Sequence, residues 1–210
     1  MNSSTKITLY HAPNTRSTGV LTLLQELDVD YDIHLLRFAT NDHKSAEYLA
    51  INPMGKVPAI KHGDAVVTEQ VAIYLYLADL YQDKGLAPAL DDPRRGEYLR
   101  WMVFYGSCFE PAIIDKSSQV LHSSKTACPY GDFDTMLNTV LGQLKKHDYI
   151  AGDKFTAADI LWGSSLGWIM QFKLVDETPE LLAYVKRITG RESFAKSNKI
   201  DQDYTADDDV

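Results

Sequence analysis

The run Asn52-Pro53-Met54-Gly55-Lys56-Val57-Pro58-Ala59 narrows the folds open to this chain more than any other stretch. A Val-Pro pair opens a short apolar strand here. Proline has no N–H to give to a ladder, so it sits at strand starts and edges. An X-Pro bond can also adopt the cis form, which turns the backbone sharply. Such a turn leaves the N–H and C=O of Val57 free to pair with an extended peptide, as an added strand would. Shortly afterwards, Val67-Thr68-Glu69-Gln70-Val71-Ala72-Ile73 opens an amphipathic run. The Glu69 carboxylate then lies near a helix N-terminus, whose free N–H groups attract an anion. The two segments together suit a small peptide carrying a carboxylate and an ammonium.

The surrounding pattern predicts where these segments sit. Lys6–Tyr10 reads as a short buried strand. Val20, Leu21, Leu23, Leu24 and Leu27 follow a helical period over 18–27. Tyr31–Leu36 reads as a second strand and 42–49 as a short helix. Val57–Ile60 and Ala65–Val67 form a hairpin around the turn residues Lys61-His62-Gly63-Asp64. A helix over 69–81 completes the order βαβ, α, ββα, that of a thioredoxin-like fold with helices packed on a mixed sheet.

Gln82–Asp92 has a Gly and a Pro but no amphipathic period, and the strand signal ends there. Helices are predicted over 93–122, 131–147, 157–172, 178–190 and 192–198. Phe155-Thr156-Ala157-Ala158-Asp159 has the form of a capping box: Thr at the cap, an acid three residues on, an apolar residue before. The expected organisation is therefore an α/β domain over 1–82, a linker over 83–92, an all-α domain over 93–200 and a disordered acidic tail over 201–210.

Composition excludes several classes of function. Of the net charge of −8, five charges come from Asp201, Asp203, Asp207, Asp208 and Asp209, so the body is only mildly acidic. Nucleic-acid binding wants a clustered basic face, which is missing. No stretch approaches the about 18 apolar residues of a membrane span. The N-terminus lacks the basic-then-apolar form of a signal peptide, so the cytoplasm is the expected compartment. Two cysteines, Cys108 and Cys128, imply no disulfide framework.

The blocks Asn52–Ile60, Val67–Asp79 and Gly152–Ile160 together resemble the cytosolic glutathione S-transferase family, nearest to its bacterial beta-class branch. The resemblance spans Ile7 to about Ser197. It implies a thioredoxin-like glutathione-binding domain followed by a helical domain. It also implies a homodimer, glutathione as co-substrate, and no metal or other organic cofactor. The implied reaction is conjugation of glutathione to small apolar electrophiles, with reduction of peroxides by the same thiolate as a possible extension. The alternative is a ligand-binding or regulatory protein on the same scaffold. In this family Val57 pairs with the cysteinyl unit of glutathione, Pro58 is cis, and Glu69 faces the γ-glutamyl ammonium. Gln70, at a position usually Ser, Thr or Gly, offers its N–H to the γ-glutamyl carboxylate. Lys56, Lys44 or His43 meets the glycyl carboxylate.

The reacting sulfur must be held as thiolate, the nucleophilic form. A hydroxyl, amide or N–H aimed at it lowers its pKa. The resemblance places that donor in the turn His11-Ala12-Pro13-Asn14-Thr15-Arg16-Ser17. Beta-class members carry a cysteine here. Aligned on the Leu-Tyr start and the Pro, its position falls on Arg16 and that of the following serine on Ser17. Without the cysteine, mixed-disulfide chemistry loses its nucleophile. The candidates are Ser17 first, then Asn14, with Thr15 also open and Arg16 as a supporting positive charge. Tyr10 reads as a strand residue rather than a sulfur donor. The electrophile is expected against His11, Tyr105 and Phe109, with Tyr105 or Ser107 available to a developing anion.

Overall fold

The computed structural model describes residues 6–207, which divide into two compact units. The first takes in the chain up to Tyr81 together with everything from Arg191 on; the second is Gln82–Gly190.

In the first unit a four-stranded sheet has the order β2-β1-β3-β4, with β1 (Ile7–His11), β2 (Tyr31–Leu35), β3 (Ala59–His62) and β4 (Ala65–Thr68). β1 runs parallel to β2 and antiparallel to β3, and β3 is antiparallel to β4. A parallel pair needs a crossover, and α1 (Arg16–Leu27) supplies it. Thr15 caps α1 by accepting the N–H of Ser17, and Asp28 ends it at φ 52°, a left-handed position that a short polar residue tolerates. Val20, Leu21, Leu23, Leu24 and Leu27 are fully buried with Ile7, Leu9, Ile60, Ile73 and Leu77. The predicted helix over 42–49 is instead a 3-10 turn, Asp42–Lys44, followed by α2 (Ala46–Ile51). Ser45 breaks the two apart, because its hydroxyl caps α2 through the N–H of Tyr48. α3 (Gln70–Leu80) closes the unit's first segment.

The second unit holds α4 (Arg95–Phe104), α5 (Glu110–Ser117), α6 (Phe133–Leu144), α7 (Ala157–Gln171) and α8 (Pro179–Thr189). The single helix predicted over 93–122 is interrupted by a π-helical turn, Tyr105–Phe109, and stops at Ser117. Pro111 explains the widened turn, since its ring cannot sit against the carbonyl four residues back in a regular helix. The core is aromatic. Trp162 lies 5.6 Å from Trp101, 5.5 Å from Tyr105 and 4.8 Å from Phe109, centroid to centroid. Its indole N–H donates to the Trp101 carbonyl at 3.1 Å, which satisfies the one polar atom that this burial would orphan.

Two expectations fail at the C-terminus. The helix predicted over 192–198 continues as α9 (Glu192–Asp207), so 201–207 is not a disordered tail; 208–210 lie outside the described residues. Moreover, the stretch from Arg191 belongs with the first unit and not with the helical one. Polar rungs join α9 to α1. Arg191 and Ser193 bind Glu26, Ser197 bonds Thr22 at 2.7 Å, and Asp201 accepts from Thr18 at 2.6 Å. Residues 18, 22 and 26 fall four apart on one helical row. Ser193, Phe194, Ser197 and Asp201 are the buried face of α9. Three of those four are polar, which is why the amphipathic reading of the sequence stopped short.

Candidate functional site

The turn from β1 into α1 is tightly wired. His11 and Ser17 are both fully buried. Ser17 Oγ accepts the N–H of Ala12 at 3.1 Å and lies 2.9 Å from His11 Nδ1 and 2.8 Å from Thr15 Oγ1. The Thr15 hydroxyl donates to the Ala12 carbonyl at 2.7 Å. On the other side of the ring, His11 Nε2 lies 3.0 Å from Asp201 Oδ1. A carboxylate only accepts, so Nε2 carries the proton and Nδ1 faces the Ser17 hydroxyl. Asp201 Oδ2 accepts the N–H of Asn14 at 2.7 Å. Burial pushes the Asp201 carboxyl up, but hydrogen bonds from His11, Asn14 and Thr18 outweigh it and hold it below its usual range.

Ser17, His11 and Asp201 are the residue types of a hydrolytic triad, but the wiring is reversed. In a triad the serine meets Nε2 and the aspartate meets Nδ1; here the serine sits on Nδ1 and the aspartate on Nε2. With Ser17 sealed from solvent, the trio braces the turn and attacks nothing.

This overturns the first-ranked thiol donor. Ser17 is buried and its oxygen is occupied on every side. Thr15 spends its proton on Ala12 and its lone pair on the cap of α1. Asn14 is exposed, at a left-handed φ of 57°, and among the described residues only its backbone N–H is taken. Arg16 is also exposed, at the first position of α1. Tyr10 is half-buried, with its ring 5.0 Å from that of His34 and 5.6 Å from that of Tyr48.

The second cluster surrounds the Val-Pro strand. The Val57-Pro58 bond is cis. β3 begins at Ala59, so Val57 stands outside the ladder. The Lys56 carbonyl is pinned by the Tyr48 hydroxyl at 2.5 Å and the Asn52 amide at 2.7 Å. At Gly55, φ is 60°, and a side chain there would meet the His43 carbonyl and the Lys44 ammonium, each at 2.9 Å. Lys44 therefore lies directly over this loop. Lys56 and Lys44 are both exposed. His43 packs its ring 4.4 Å from Phe38.

Glu69 occupies the N-cap of α3 with φ 65° and ψ 118°, and its side chain makes no capping bond. A non-glycine residue in that region is strained, and such strain clusters at ligand clamps. Gln70 turns its amide to the Arg16 carbonyl at 3.1 Å, tying the start of α3 to the start of α1. The long side chain at this position thus serves an internal bond.

The residues expected against the electrophile offer no free group. His11 is inside the first unit, bonded at both ring nitrogens. In the second unit Tyr105 and Phe109 are core, 2% and 1% exposed. The Tyr105 hydroxyl donates to Glu110 at 2.9 Å and pairs with Ser165 at 2.6 Å. Ser107 bonds the Val103 carbonyl. A cavity of about 320 Å³ in the first unit is lined by Tyr10, His34, Ser45, Glu47, Tyr48 and Ile51 among others, beside the Lys56 carbonyl that Tyr48 pins, and by none of the predicted site residues. Asp201 is the residue that sequence reasoning missed. Its one signal was the 193, 197, 201 spacing, three polar residues on what proves to be a buried face.

With this geometry in view, the matches to known proteins fall into place. The family model described as Glutathione S-transferase, N-terminal domain, matches residues 5–79, and that of the C-terminal domain matches residues 132–192. Glutathione S-transferase 2 of Schizosaccharomyces pombe is 30% identical over 191 residues, covering 83% of each chain. A glutathione S-transferase of Hyoscyamus muticus is 27% identical over 191 residues, covering 85% of this chain and 90% of its own. The structure of a sphingomonad glutathione S-transferase complexed with glutathione superposes with a TM-score of 0.75 at 28% identity, covering 93% of this chain and 98% of that one. The chain belongs to the glutathione S-transferase family. Its fold is the family's: a thioredoxin-like unit with a mixed sheet, and a helical unit. Among the described residues no helix is long and apolar enough to cross a membrane.

Proposed function

We propose that this protein binds glutathione in its first unit, holds the sulfur as thiolate and joins it to small apolar electrophiles. Glu69 carries the reading. An exposed carboxylate without a capping bond, on a strained backbone at the start of a helix, suits the γ-glutamyl ammonium. Val57, outside the ladder before β3, can take the cysteinyl backbone, with Pro58 beside it. Lys56 and Lys44 suit the glycyl carboxylate, and the N–H of Gln70 the γ-glutamyl one.

Asn14 replaces Ser17 as the sulfur donor. Its amide carries two N–H donors and is exposed in the turn, with Arg16 adding positive charge. Donors aimed at the sulfur favour the anion and lower its pKa. The thiol proton leaves to solvent, sulfur attacks the electrophilic carbon, and a thioether forms as the leaving group departs with the bonding pair. Holding both reactants in line supplies the rest. Peroxide reduction would use the same thiolate. A homodimer, the cytoplasm and a place near the bacterial beta-class branch rest on the family resemblance. The closed Ser17 and the lack of a turn cysteine favour one second reading, a protein that binds glutathione without activating it.

The test is calorimetry of glutathione binding to the wild type and to Glu69→Ala, with thiolate absorbance followed against pH. Binding that is lost in Glu69→Ala, with thiolate present at neutral pH, supports the transferase. Binding with the thiol still protonated supports the second reading. No binding rejects both.

A further inference from the structure

We propose that Asp201, from the C-terminal helix α9, is a positioning residue for thiol activation: its carboxylate fixes Asn14, His11 and Thr18 and so holds the turn that faces the sulfur. The inference rests on the reading that this turn activates a thiol. Each contact has a role. Oδ2 accepts the Asn14 N–H at 2.7 Å and the Thr18 hydroxyl at 2.6 Å. The first fixes the N–H of a residue at φ 57°, a left-handed position that asparagine tolerates, and so sets where its side chain leaves the turn. The second anchors the carboxylate to the first turn of α1. Oδ1 meets His11 Nε2 at 3.0 Å, and the far side of that ring reaches Ser17 at 2.9 Å, so the brace extends through the turn to Ala12.

The other rungs between α9 and α1, at Ser197 and Ser193, already join the helices one and two turns away. Only the Asp201 rung touches the residue whose amide is assigned to the sulfur. Loosening it would let the Asn14 amide drift. Donor geometry counts at the 1 Å level in such sites, while the groups assigned to the peptide's ends, Glu69 and Lys44, lie on other segments.

Asp201→Asn, Asp201→Ala and Thr18→Val are compared with Ser197→Ala, which breaks the neighbouring rung. Glutathione binding is measured by calorimetry, the bound thiol by absorbance against pH, and kcat and KM with 1-chloro-2,4-dinitrobenzene. In Asp201→Ala the titration of bound glutathione should rise by about one pH unit and kcat fall about tenfold, since a lost donor interaction moves both together. Glutathione affinity should stay within about threefold, because its anchors are elsewhere. Asp201→Asn and Thr18→Val, which retain part of the tether, should fall between wild type and Ala. Ser197→Ala should lower the melting temperature without moving the titration. An unmoved titration in all Asp201 and Thr18 variants, or an equal shift in Ser197→Ala, overturns the positioning role while leaving thiol activation intact. A wild type whose bound glutathione stays protonated at neutral pH overturns both. If Asp201→Ala does not fold, Thr18→Val and Asp201→Asn decide the matter alone.

Discussion

Asp159 and Asp201 are both buried, both collect several donors, and both hold the start of a helix, yet they behave as opposites. Asp159 is local. It accepts the N–H groups of Ile150 and Thr156 at 2.7 and 2.8 Å and the hydroxyls of Tyr184 and Thr156 at 2.9 and 3.2 Å. All four donors are neutral, and burial wins: the carboxyl is pushed up to about 6. Asp201 is remote from its partners, 187 residues from Asn14, and has exposed neighbours in Gln202 and Asp203. Its burial is outweighed by hydrogen bonds from His11, Asn14 and Thr18, and its carboxyl is held below its usual range. The first aspartate holds a helix start at some cost in desolvation. The second serves a site.

The largest expected effect is at Asp159. Truncation to Ala leaves a tyrosine hydroxyl and two backbone N–H groups buried without acceptors. Each orphan costs about 1–3 kcal/mol, so a loss of about 4 kcal/mol is expected. Urea denaturation reads it as a lower midpoint, and a loss below about 1 kcal/mol would deny Asp159 its role.

Next comes pH, where the two carboxylates have opposite signs. Asp159 holds its proton longer in the native state than in the unfolded chain. Its stabilising contribution is therefore full below the ordinary value of 3.8 and is lost as pH rises through about 6. That shift corresponds to about 3 kcal/mol. Asp201, with a depressed native pKa, contributes above the ordinary value and loses that contribution as pH falls through the native one. The penalty of Asp159→Asn should thus shrink between pH 4 and 7, while that of Asp201→Asn stays level. Parallel profiles would erase the contrast.

A smaller effect is expected where α7 meets α8. A Cβ on Gly163 would stand 2.4 Å from Ile188 Cγ2 and 2.7 Å from its Cβ. Gly163→Ala gains helix propensity of up to about 1 kcal/mol but overpacks by more, for a net loss of about 1–2 kcal/mol. Thermal melting would show it; a stabilised variant would mean that the two helices part freely beside the Asp159 cap.

The smallest effect sharpens the comparison on α9 itself. Lys199 and Asp203 pair one turn apart with side chains 75% and 66% exposed. Lys199→Ala should change stability by less than about 0.5 kcal/mol and leave the thiol titration where it was. A larger change would mean that α9 is held by its surface rather than by the buried face that ends at Asp201.

Sequence by itself determined whatever depends on neighbours in the chain. Periodicity of Val20, Leu24 and Leu27 laid out α1, and alternation with turn residues laid out the β3–β4 hairpin. Phe155–Asp159 announced its cap, because every partner but Tyr184 and Ile150 lies within three residues. The strand start after Val57-Pro58 and the acid at the start of α3 were legible from a proline's missing donor and a helical run, and the proposed peptide site is built on them. Tertiary structure decided the rest. Only the packed chain shows that Ser17 faces inward, that Tyr105 and Phe109 belong to the Trp162 core, and that Pro111 widens one helix turn. Only it brings Asp201 to Asn14. Backbone sterics and helical period act over a few residues and leave a mark in the sequence, whereas a polar contact across 187 positions leaves none. Ser193 and Ser197 read as part of a short helix and Asp201 as a solvated tail, because the groups that satisfy them lie on the first strand, the turn after it and the first helix.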